Sequence, residues 1–282
     1  MSSGSQLVTF GGFQVDISQF DFQDHSSRVI TVKAWSIVFC CLVFLTVALR
    51  IFARVKYVHR VFVDDVLIVL AAVFTIALGA MSIVATNHGL GQHVWRLPLA
   101  TLFDTLKSFI LDLFICQVLY AFAIALTKIA IIASYLRFIP NKSFHIAMYI
   151  TLFPIVGLWI TGVFVTLFQC RPLQAAWNFT INRTCIDYVS YLYASSTVNV
   201  ITDIALCVLP LPYFWKLDMT VKQRAILCVL LAGGASACIV GIIRIGFLHQ
   251  LKVFDTTCKK PPLLANLIIQ FIEASLVLLG AS

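Results

Sequence analysis

Apolar residues along this chain fall in long unbroken runs instead of alternating with polar ones. The runs cover about 31–53, 63–86, 110–136, 144–168, 190–214, 223–247 and 263–282. Each is near the ~20 residues a helix needs to cross ~30 Å of hydrocarbon. They predict an all-α membrane protein, a bundle of seven transmembrane helices, with a domain spanning 31–282. Residues 1–30 hold four charged side chains and no apolar run long enough for a cleavable signal peptide. They are expected to form an extracellular tail, with the first span as the targeting signal. The chain stops at "LLGAS", the end of the seventh run, so no cytoplasmic tail is expected after it.

Composition strengthens this picture. The 282 residues are 61% hydrophobic and 11% charged, against about 45–50% and about 25% in soluble domains. A globular core of this size cannot hide so much apolar surface, so lipid must cover part of it. The formal charge of +8 does not point to nucleic acid, because the bases gather at helix ends and no zinc-finger spacing or basic-aromatic groove accompanies them. Arg50, Arg54, Lys56 and Arg60 crowd the first connection. Arg137 and Lys142 flank the third, and Lys216, Lys222 and Arg224 the fifth. Short, dense basic loops face the cytoplasm, which sets the amino terminus outside and the carboxyl terminus inside. The plasma membrane is the expected location, with an endomembrane as the alternative.

The fourth loop reads "FQCRPLQAAWNFTINRTCIDY". Cys170 and Cys185 bracket two glycan acceptor patterns, at Asn178 and Asn182. On the oxidising side of a membrane this loop would close a disulfide and carry glycans. Cys116, near the outer end of span three, is the rival partner, and a third pattern at Asn141 falls in a loop read as cytoplasmic. Span two begins "VDDVLIVL": Asp64 and Asp65 would cap free N–H groups and meet the positive helix end, forming an inner-end ion cluster with Arg54 and Arg137. Its exit, "NHGLGQHVWRL", sets His88, His93 and Trp95 in an outer vestibule. Two histidines without a third ligand make no metal site, and none is expected.

Two bases and two acids are the charges expected to be buried within the apolar runs. Lys128 sits roughly 12 Å from the inner edge of span three and Asp203 roughly 16 Å from that of span five, at 1.5 Å per residue. Glu273 lies near mid-membrane and Arg244 closer to the outside. Exposing any of them to lipid costs about 2.5–3.5 kcal/mol on the most lenient scale, so inward-facing pairs are expected: Lys128 with Asp203, and Arg244 with Glu273. Asn199 and Thr202 extend the polar face of span five, which Pro210 and Pro212 interrupt. Gly233, Ala237 and Gly241 recur every fourth residue in span six, a pattern that lets helices approach closely in lipid. Such pairs also occur purely to fix helix packing.

"VDDVLIV", "GLGQHVW", "LTKIAIIASYLRF", "FQCRPLQAAW…CID", "NVITDIALCVLPLPYFWKL", "GGASACIVGIIRI" and "FIEAS" occur in the order seen in the fungal rhodopsin-like integral membrane proteins. The chain resembles that family, which includes the SAT4 and PTH11-like proteins, from about residue 31 onward. The resemblance implies a seven-helix, receptor-like architecture and an association with secondary metabolism. The family's usual "LPxLRP" stretch after the seventh helix is missing here, which weakens coupling through a tail. Despite the family's name, no retinal or other cofactor is expected, since the seventh run has no lysine to form a Schiff base.

These readings favour a receptor or sensor without intrinsic catalysis, whose partners are the bilayer, a small lipophilic ligand and a cytoplasmic signalling protein. The alternative is an intramembrane biosynthetic enzyme, for instance a cyclase, with Asp203 or Glu273 as the catalytic acid. A transporter ranks last, because no inverted repeat is visible.

Overall fold

The computed structural model describes residues 7–10, 13–16, 29–59, 62–88, 102–172, 184–216, 221–253 and 262–281. Its helices are α1 (Val29–Ala53), α2 (Val63–Asn87), α3 (Leu102–Phe138), α4 (Lys142–Leu167), α5 (Tyr188–Val208), α6 (Leu211–Lys216), α7 (Val221–Val253) and α8 (Pro262–Ala281). The expected spans overlie these helices, the fifth, 190–214, being divided between α5 and α6. Among the described residues, five segments are long and apolar enough to cross a membrane: Val29–Tyr57, Val63–Asn87, Lys107–Arg137, Lys142–Leu167 and Tyr188–Tyr213. The apolar stretches on α7 and α8, Leu231–Gly246 and Ile268–Leu279, are shorter. A helical membrane protein is therefore the architecture.

The distribution of polarity agrees. Phe153 is 82% exposed, and Ile150 and Phe44 both lie outward, whereas Lys128, Gln270 and Glu273 are almost fully enclosed. Soluble proteins bury the first kind of residue and expose the second. Here the apolar exterior suits lipid, and the polar groups satisfy one another inside.

The chain also contains strand, which the reading of apolar runs missed. β1 (Leu7–Phe10) pairs antiparallel with β2 (Phe13–Asp16), with Phe10 opposite Phe13. The signal was present as Gly11-Gly12 between two short alternating segments. A second ribbon joins β3 (Cys170–Arg171) to β4 (Thr184–Cys185).

Local chemistry sets the helix boundaries. Asn141 caps α4, its side-chain oxygen accepting from the Ser143 N–H at 2.9 Å, and Asp187 caps α5 by accepting from the Ser190 N–H at 3.2 Å. These contacts satisfy N–H groups that a helix start leaves free. α5 stops at Val208, two residues before Pro210, and the short α6 carries the chain on. α1 runs into a single wide turn over Arg54–Val58, closed at His59 with φ 52°, where the His59 N–H reaches the Arg54 carbonyl at 3.0 Å. A positive φ is uncommon for a residue with a Cβ.

The packing neighbours run α1–α2–α3–α4–α5–α7–α8 and back to α1, with α3 also touching α8. Buried apolar residues of α1, α2, α3, α7 and α8, including Leu78, Ala123, Ala237 and Phe271, form one core cluster. The small residues of α7 act where α5 and α8 come close. A Cβ on Gly241 would stand 2.7 Å from Val200 Cγ2 and 3.8 Å from Glu273 Oε1. That close approach lets α7 lie against the polar faces of its two neighbours.

Candidate functional site

Helices α3, α5 and α8 present polar residues at helical spacing toward a common interior. Gln117, Tyr120, Ile124 and Lys128 recur every three or four residues along α3 and so share a face. Ser195, Ser196, Asn199, Thr202 and Asp203 do the same on α5, and Gln270 and Glu273 on α8. Arg244 of α7 completes the set. Lys128 is 1% exposed, Arg244 3%, Asp203 4% and Glu273 0%, so all four charges are withdrawn from lipid.

The Lys128 ammonium lies 2.9 Å from Asp203 Oδ1. It also donates to Asn199 Oδ1 at 2.7 Å, to the Asn199 carbonyl at 3.0 Å and to Thr202 Oγ1 at 2.8 Å. Four oxygens thus surround a group with three N–H bonds. Arg244 Nη1 lies 3.3 Å from Glu273 Oε2, to which Tyr120 also donates at 2.9 Å. The guanidinium donates to the Tyr120 hydroxyl as well, and its carbon stands 4.7 Å from the centre of that ring.

These two pairs are one network. Asn199 Nδ2 donates to Glu273 Oε1 at 2.6 Å while Asn199 Oδ1 accepts from Lys128. The flanking charges fix this amide orientation, since a flip would set its NH2 against an ammonium and its oxygen against a carboxylate. Asn199 therefore couples the base of α3 to the acid of α8, and through Glu273 to α7. Two cations and two anions leave the network neutral. One acceptor, Asp203 Oδ2, has no hydrogen-bond partner among the described residues.

Beside the network lies a half-open recess between α3, α4 and α5, with about 70 Å³ of free volume. Lys128, Asn199, Tyr120 and Arg244 line its inner side, and Trp159 and Ser196 stand on the α4 and α5 walls. Trp159 Nε1 and Ser196 Oγ are both buried and both lack a hydrogen-bond partner among the described residues. Trp159 is otherwise held edge-on against Phe122, at 5.2 Å between ring centres.

The ends of α2 carry two further clusters. At its start, Arg50 contacts both Asp64 and Asp65 at 3.1 Å, and Arg54 contacts them at 3.5 and 3.4 Å. Arg137 Nη1 lies 3.7 Å from Asp64, and its guanidinium covers the Phe62 ring at 3.3 Å. Asp65 also accepts from the Phe62 N–H at 3.1 Å, capping the helix as expected. The structure adds Arg50, one turn before Arg54, to the four residues predicted there. At the far end, His88 Nδ1 stands 2.6 Å from Asp112 Oδ2. Among the described residues no three His, Cys, Asp or Glu side chains gather as metal ligands. His93 and Trp95, like the acceptor sites Asn178 and Asn182, lie outside the described residues.

Cys170 and Cys185 form a disulfide across the β3–β4 ribbon, while Cys116 is a buried free thiol. The bond closes a loop of 15 residues. Cys170→Ser with Cys185→Ser is expected to lower unfolding free energy by about 3 kcal/mol. Unfolding in detergent with and without reductant checks this: wild type should fall to the variant's value on reduction, and the variant should not respond.

Depth along the spans was enough to associate Lys128 with Asp203 and Arg244 with Glu273. It did not indicate Tyr120, the bridge through Asn199 or the Trp159 wall. Tyr120 could have been found, because it lies eight residues before Lys128 on the same side of α3. The Asn199 bridge depends on how α5 is rotated against α8, for which the sequence holds no local signal.

A family model described as the fungal rhodopsin domain matches residues 49–282. "Polyenoic acids biosynthesis gene cluster protein Ba17b" of Metarhizium anisopliae is 31% identical over 233 residues, 78% of this chain and 63% of that protein. "SAT4 family membrane protein" of Emericella nidulans is 26% identical over 152 residues, 51% of this chain and 38% of that protein. "Receptor GIN3" of Arthrobotrys oligospora is 21% identical over 231 residues, 82% of this chain and 56% of that protein. The chain thus spans less than two thirds of the length of each of these relatives. No solved structure matches.

Proposed function

The chain belongs to the fungal rhodopsin domain family, and from that premise we propose that it is a receptor or sensor in which the interior charge network acts as a latch between helices. In this reading seven helices cross the membrane, with the amino terminus outside and the carboxyl terminus in the cytoplasm. The plasma membrane is the favoured location. Residues 1–30 and the disulfide loop face outward, where Asn178 and Asn182 are glycosylated. His88, His93 and Trp95 form a vestibule on that side. A small lipophilic ligand enters, and a cytoplasmic signalling protein reads the result near Arg54, Asp64, Asp65 and Arg137. Neither retinal nor a metal takes part.

The observation that carries the reading is the Asn199 bridge. Because it joins α3, α5, α7 and α8, a contact that disturbs Lys128 also disturbs Glu273 and Arg244. A ligand can shift such an arrangement only by as much as it prefers one state over another. The recess beside Lys128 and Asn199 is where a preference of this kind would arise. A fungal relative named as a receptor supports the reading.

A relative named for a biosynthesis gene cluster supports a second reading, an intramembrane enzyme with Asp203 or Glu273 as proton donor. Deleting the gene and restoring wild type, Lys128→Met or Asp203→Asn separates the two. The receptor reading predicts altered transcription in the deletion and in both variants, with no missing chemical step. A precursor that accumulates unless Asp203 is intact would overturn it in favour of catalysis.

A further inference from the structure

Resting on the reading that an interior ligand biases the network, we propose that the recess between α3, α4 and α5 accepts a neutral, lipophilic carbonyl compound, of the ketone, ester or lactone class. Three observations converge on that chemistry. The first is the pair of buried donors on the wall. Trp159 Nε1 and Ser196 Oγ have no partner among the described residues, and Ser196 is only 3% exposed. Buried polar groups are nearly always satisfied, and an exception needs an explanation. An indole N–H only donates and a hydroxyl donates readily, so the missing complement is an acceptor oxygen.

The second observation is charge. Lys128 and Arg244 line the recess, yet each already faces a carboxylate, Asp203 at 2.9 Å and Glu273 at 3.3 Å. A ligand carboxylate would bury a net negative charge beside a neutral set, and a ligand amine a net positive one. Either would need an unmatched ion in a dry interior. A neutral oxygen acceptor meets no such cost.

The third is the remaining wall. Ile124, Ile155 and Leu158 supply apolar surface, and the lining of α3 extends from Gln117 to Lys128, roughly 16 Å of helix. A short hydrocarbon body therefore has apolar company along the recess, while its oxygen meets the orphan donors.

The test uses the full chain in lipid nanodiscs and three six-carbon probes, γ-hexalactone, hexanoate and hexylamine. Saturation-transfer NMR measures binding against empty nanodiscs. γ-Hexalactone is expected to bind saturably, and hexanoate and hexylamine at least about tenfold more weakly. Trp159→Phe and Ser196→Ala should each weaken γ-hexalactone about fivefold, the worth of one hydrogen bond. Ser196→Ala should also raise the unfolding temperature of the unliganded protein, because it removes an unsatisfied buried hydroxyl at little cost in volume. Ile201→Val, on an exposed part of α5, should change neither.

Lactone binding no greater than to empty nanodiscs, equal binding of hexanoate, or unchanged lactone binding in both donor variants would each overturn the proposal. Binding is read directly, so such a failure leaves the transcriptional test of the receptor reading standing. Intact lactone binding with no transcriptional phenotype would sink the receptor reading alone.

Discussion

Lys128→Met is expected to destabilise the protein by about 3 kcal/mol, measured as unfolding free energy in mixed detergent micelles. Methionine keeps the length of the side chain and its apolar stem, so packing changes little and the lost charge dominates. Without the ammonium, Asp203 Oδ1 loses its contact at 2.9 Å while Oδ2 still has no partner among the described residues. Asn199 Oδ1 loses the charge that orients its amide. Adding Asp203→Asn removes the uncompensated carboxylate and should restore about 1–2 kcal/mol of the loss, as for a directly coupled pair. If the second substitution only adds its own penalty, Lys128 and Asp203 are not an energetic pair.

Glu273→Gln should cost at least as much, about 3–4 kcal/mol by the same measurement. Glu273 is fully buried and receives Asn199 Nδ2, the Tyr120 hydroxyl and Arg244 Nη1. Glutamine has the same shape but only one acceptor oxygen. Its NH2 must face either the Asn199 amide or the Tyr120–Arg244 side, where only donors approach. The substitution also removes the countercharge 3.3 Å from Arg244. Glu273→Asp should fall between wild type and Glu273→Gln, since it keeps the charge but shortens the reach. A loss below about 1 kcal/mol, the upper end of the usual worth of an exposed pair, would mean that Glu273 is not the hub.

Helix positions were readable because lipid imposes a simple rule on sequence: every apolar run near the length of a span has to hold its own backbone hydrogen bonds. The charge pairings were readable for a related reason. Only four charges lie deep in the runs, two of each sign, and burial leaves them few ways to cancel. The bridge through Asn199 was not readable, because an asparagine on a polar face is equally at home beside lipid headgroups, water or a neighbour. Its role emerges only when α5 is turned so that its amide spans the gap between Lys128 and Glu273. Arg50 was counted among the basic residues of the first connection, yet its reach back to Asp64 and Asp65 depends on the wide turn at Arg54–Val58. The amino-terminal ribbon was missed because its four-residue strands are too short to register against runs of twenty.

Two ion pairs form one coupled network through a single side chain, Asn199. A double-mutant cycle between Lys128→Met and Glu273→Gln reads this coupling, because Asn199 accepts from the first residue and donates to the second. A coupling of at least about 0.5 kcal/mol is expected in the wild-type background, the lower end for residues in one network. The coupling should shrink when the cycle is repeated on Asn199→Ala, leaving the through-space attraction of the charges. Strict additivity with Asn199 in place would contradict the coupled network.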